Sequence, residues 1–165
     1  MIFKFGQYNV DVDTERTRAF YRTAPRVTET CGCDGCRNFE RAADELPDAV
    51  GMFFDRLGAD LKKVCECYVN GPTEDGMLLY GGFCHLCGSL VSGGSTSVWQ
   101  DGAAYPVTET FRVSVQQNTD LLEDGFPQPA VQMEFSAKIP WLLDRENPYL
   151  EKTDRLSNLQ KGKTR

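Results

Sequence analysis

"MLLYGGFCHLCGSLV", residues 77–91, decides the fold. Cys84 and Cys87, with Gly88 behind them, have the spacing of half a zinc knuckle, which would make this stretch a tight metal-binding turn. The competing reading is a strand. In a regular strand, side chains three apart point to opposite faces, so Cys84 and Cys87 could not share one ion. The run is apolar and is bounded by the turn-forming stretches "GPTEDG" (71–76) and "SGGST" (92–96). It therefore predicts a long strand, bent or bulged at Gly81-Gly82.

The stretches around it share this strand character. "KKVCECYVN" (62–70) alternates, with Cys65, Cys67 and Val69 on one face. "ETFRVSVQQ" (109–117) sets Phe111, Val113 and Val115 against Arg112, Ser114 and Gln116, and "AVQMEFSAKI" (130–139) repeats the pattern with Val131, Met133 and Phe135. Clean alternation implies a sheet with one buried and one wetter face. "IFKFGQYNV" (2–10) suits a first strand, and "RVTET" (26–30) is a short β-branched run; residues 11–25 are polar and show no clear period.

Helical spacing is confined to the first half. Phe39, Ala42, Ala43 and Leu46 fall at i, i+3, i+4, i+7, as do Val50, Phe53, Phe54 and Leu57. Asp34 is placed to cap the first helix, Pro47 separates the two, and Gly58 stops the second. The expected class is α+β, two N-terminal-half helices packed on a mainly antiparallel sheet of about four to five strands. Residues 1–144 are expected to form a single domain, followed by a polar, mildly basic C-terminal tail over 145–165.

Composition narrows the function. The 165 residues are 41% hydrophobic and 25% charged, as in ordinary globular domains, and long enough for a core without disulfides. The net charge is −6. Residues 145–165 carry six basic and three acidic side chains, which leaves −9 for the remainder. This balance argues against nucleic acid and anionic membrane as partners and suits a basic protein partner. The start carries no signal-peptide pattern and no stretch is long enough to cross a membrane, so a cytoplasmic location is expected. Seven cysteines are then reduced thiols or metal ligands.

Three of them form "CGCDGC" (31–36) at a predicted helix N-terminus, where the backbone favours thiolate. Cys31, Cys33 and Cys36 are three of the four ligands a structural zinc site needs. The fourth would come from elsewhere, with Cys67 and His85, the single histidine, the leading candidates. Two alternatives stand beside zinc: a Cys33-x-x-Cys36 redox pair, and plain thiols. Cys65, Cys67, Cys84 and Cys87 also suit the core, where free cysteine behaves as a small hydrophobe. No nucleophile elbow, phosphate-binding loop or dinucleotide fingerprint is present. The acids of "TDLLEDGF" (119–126) are expected at the surface.

"CGCDGCRNFERA" (31–42), "YGGFCHLCG" (80–88), "LLEDGFPQPAVQMEF" (121–135) and "IPWLL" (139–143) resemble segments of a small group of uncharacterised bacterial proteins known as hypothetical proteins. The resemblance spans roughly residues 28–143 and implies a bacterial cytosolic protein, with no biochemical function attached. Taken together, these readings favour a non-catalytic binding or interaction protein, by analogy an immunity protein neutralising a basic toxin. A domain with structural zinc and a thiol oxidoreductase using Cys33 and Cys36 are the alternatives.

Overall fold

The computed structural model describes residues 1–150; residues 151–165, most of the expected tail, lie outside them. Residues 77–91 are a strand, not a turn. They belong to β4 (Leu78–Ser92), the longest strand described, around which the sheet is organised. β7 (Ala130–Ile139) pairs with one edge of β4 from Leu78 to Cys87. The other edge is shared. β3 (Glu66–Pro72) covers Leu78–Phe83, and β2 (Tyr8–Val12) covers Gly88–Ser92. β1 (Ile2–Phe5) extends the sheet beyond β2, while β6 (Phe111–Gln116) and the short β5 (Tyr105–Pro106) extend it beyond β7. Each of these pairings is antiparallel.

The class is α+β as expected, but the sheet has seven strands, more than the four to five anticipated. The difference has two sources. "IFKFGQYNV" is a hairpin, folded at Gly6 with φ +56°, so one expected strand is two. The two-residue β5 is too short to show alternation. Gly81 and Gly82 do not mark a bulge, because pairing runs through them without a break. They permit close approach instead. A Cβ at Gly82 would lie 2.2 Å from the Glu66 carbonyl oxygen, and one at Gly81 would meet Trp99 and Tyr68 at 2.6 Å.

Four helices precede the main strands. α3 (Asp34–Ala43) and α4 (Asp48–Leu57) are the two that the apolar spacing predicts, and Gly58 ends α4 in a left-handed conformation, φ +80°. α1 (Thr14–Thr23) and α2 (Val27–Thr30) occupy stretches expected to be irregular and extended. α1 starts where the Asp13 side chain accepts from the Arg16 N–H, and it buries only Thr17 and Tyr21. That stripe is too narrow to show as an apolar face. The core lies between α3, α4 and one face of the sheet. Phe39 stacks on Phe135, Phe135 on Phe111, and Phe54 meets Phe111 edge-on. All four rings are fully buried, each contributing about 1.5–3 kcal/mol.

Within residues 145–150, three side chains or backbone groups reach the body. Arg145 pairs with Asp34 at 2.9 Å, its carbonyl accepts from the Trp141 indole N–H at 2.8 Å, and Asn147 is buried. No helix among the described residues is long and apolar enough to cross a membrane.

Candidate metal centre

The loop between α2 and α3 carries Cys31, Cys33 and Cys36. The cap of α3 is Cys33, not Asp34: its Sγ accepts from the Cys36 N–H at 3.4 Å. Asp34 instead opens the helix as a first-turn acid and pairs with Arg37 and Arg145. This cap turns the chain through one tight step and draws the three sulfurs together, with their Sγ atoms all within 4.8 Å of one another. Cys31 Sγ and Cys33 Sγ are 3.3 Å apart.

β3 supplies a further sulfur. Cys67 faces the helix layer, and its Sγ lies 3.7 Å from that of Cys36. Four thiolates around zinc at 2.3 Å stand about 3.8 Å apart, so Cys36 and Cys67 are already at the spacing of a ligand pair, while Cys67 falls outside the group of three sulfurs that lie within 4.8 Å of one another. The four cysteines line one cavity of about 190 Å³ together with Tyr68 and Tyr149. Gly35 lets the Tyr149 hydroxyl approach: a Cβ there would lie 2.6 Å from it. Tyr149 is within ring contact of Trp141, and the Tyr68 hydroxyl accepts from the Trp99 indole N–H at 3.1 Å.

The thiols differ in acidity. The Cys33 backbone N–H and the neighbouring thiols lower the pKa of Cys31. Burial pushes Cys33 up to about 11, and the hydrogen bond to Cys67, followed by burial, pushes Cys36 up strongly. A redox dithiol at Cys33–Cys36 needs an exposed, acidic attacking sulfur. Cys33 is exposed but its thiol pKa is raised, and Cys36 is turned inward against Cys67.

His85, the other expected fourth ligand, lies elsewhere. Cys67 pairs with Gly82, three residues before His85 on β4. An odd separation along a strand reverses the face, and three residues span about 10 Å. His85 therefore stands on the opposite side of the sheet, with Cys65 and Glu123. Cys65 precedes β3 in a bend and does not share the face of Cys67 and Val69. Burial first, and then the Glu123 carboxylate, raise its thiol to about 12. Cys84 and Cys87 are buried, as core cysteines would be. Glu123, expected at the surface, accepts or shares a proton with His85 Nδ1 at 2.7 Å. No local signal in the sequence marked it, because the contact spans 38 residues.

No family model matches the chain, and no match was found among curated proteins or solved structures. What the site does has to be argued from its own geometry.

Proposed function

We propose that this chain is a zinc-binding protein whose four-cysteine centre, Cys31, Cys33, Cys36 and Cys67, fastens the loop before α3 to β3. The observation that carries this reading is the Cys36–Cys67 separation of 3.7 Å beside the Cys31–Cys33 pair at 3.3 Å, across one cavity. Thiolate is the preferred donor of closed structural zinc sites, and four such ligands leave no position for substrate. The site's charge is also provided for. Four thiolates around Zn²⁺ carry a net −2, which the N-terminal dipole of α3 favours, and Arg37 and Arg145 stand beside the loop at Asp34. The centre is then structural, and the protein acts through the surface it holds in shape.

Elemental analysis of protein purified without chelator tests the reading. About one zinc per chain is expected at this centre, since tight structural zinc survives purification. Cys36→Ser and Cys67→Ser are each expected to lose it. Wild-type protein that holds no zinc, or a zinc content that neither substitution lowers, would refute the assignment.

A further inference from the structure

We propose that Cys65, His85 and Glu123 form a second metal site, for one borderline divalent cation such as Zn²⁺, on the opposite face of the sheet from the four cysteines. It does not rest on the first centre. One ring nitrogen of His85, Cys65 Sγ and a Glu123 carboxylate oxygen all lie within 4.8 Å of one another. Ligands of a tetrahedral zinc stand about 3.5 Å apart, so closing on an ion asks for shifts of about an ångström.

The histidine is the decisive member. It is fully buried, Nδ1 lies 2.7 Å from Glu123 Oε2, and Nε2 has no hydrogen-bond partner among the described residues. Phe83 and Phe126 flank the ring at 5.7 Å each, an environment that an apolar side chain would fill without stranding a polar atom. The contact already brings a ring nitrogen and a carboxylate oxygen, two of the three ligand atoms, together. The histidine backbone is fixed as well: the Tyr21 hydroxyl donates to the His85 carbonyl at 2.9 Å and accepts from its N–H at 3.1 Å.

Access comes from the other two groups. Cys65 is half-buried and the Glu123 side chain is 27% exposed, so a cation reaches the histidine through them. The loop that brings Glu123 also brings the Leu121 carbonyl to the Cys65 thiol at 3.3 Å, and Leu121 takes a left-handed φ of +50° to do so. A Cys–His nucleophile would instead bond its thiol to the imidazole. One sulfur, one nitrogen and one oxygen suit zinc or cobalt, and three protein ligands leave a fourth position to water. As the cation binds, the Cys65 thiol gives its proton to solvent.

The single histidine makes the test direct. Untagged, full-length protein with ¹⁵N-labelled histidine, stripped of metal, is titrated with Zn²⁺. The His85 ring resonances are expected to move and to show which nitrogen ligates. Cys65→Ser and Glu123→Gln should weaken that response by about tenfold or more, with near-UV circular dichroism reporting that they fold. Cys36→Ser should leave it intact. Resonances unmoved at saturating zinc would overturn the site, leaving a structural His–Glu pair, whatever the four cysteines do. A His85 response in protein whose zinc content ignores Cys36→Ser and Cys67→Ser would sink only the first centre.

Discussion

At the scale of single residues, Gly82 is the tightest point between the two candidate centres. Its missing Cβ would strike the Glu66 carbonyl at 2.2 Å and the Phe135 ring at 2.5 Å. A carbonyl held in a β-ladder cannot step aside. Gly82→Ala is therefore expected to lower unfolding free energy by about 2 kcal/mol or more. Gly81→Ala meets only the ends of two partly exposed side chains, Tyr68 and Trp99, and should cost under about 1.5 kcal/mol. Urea denaturation of the two variants checks the order. Residue identity alone showed that "CGCDGC" had the donors for a metal, because the spacing itself brings sulfurs together. It could not show Glu123 beside His85, since that contact spans 38 residues and depends on a loop with no period.

At the scale of elements, α3 connects the core to the thiol cavity. Its buried Asn38 accepts from the Leu142 N–H at 2.7 Å and donates to the Pro140 carbonyl at 3.0 Å. These bonds anchor the stretch after β7 that brings Tyr149 to the lining of the cysteine cavity. Asn38→Ala strands two backbone groups and should cost about 2–3 kcal/mol. It should also speed alkylation of Cys36 in metal-free protein, which mass spectrometry would measure. An unchanged rate would mean that Tyr149 does not shield the cavity. α3 was legible because Phe39 and Ala42 fill one stripe, whereas α1 was not, because its burial is Thr17 and Tyr21 alone. The local signs of it were the N-cap at Asp13, Glu15 in the first turn and Arg22 in the last. The face to which Cys67 belongs followed from alternation; the bend that separates Cys65 from it did not.

At the scale of the molecule, the four cysteines of the proposed centre lie at the margin of the aromatic core. Phe39, Phe54, Phe111 and Phe135 are packed on one another without any cysteine between them in the stack. A strong chelator is thus expected to lower the melting temperature while leaving one cooperative transition and almost the same far-UV circular dichroism. Collapse to an unfolded chain would instead make the metal a condition of folding, as in zinc fingers. Acid should act like the chelator, because the thiolates bind the ion only when deprotonated and protons compete with it for them. The α+β class was readable from helices in the first half and alternation in the second. The strand count was not, because a hairpin and a two-residue strand leave too little pattern.

The aromatic lining of the thiol cavity has an optical consequence. The chain has two tryptophans, and each is coupled to a tyrosine of that lining, Trp99 to Tyr68 and Trp141 to Tyr149. Filling the cavity is therefore expected to change the ultraviolet emission of this protein through those two tyrosines. Trp99→Phe and Trp141→Phe would divide that change between the β3 side and the Tyr149 side.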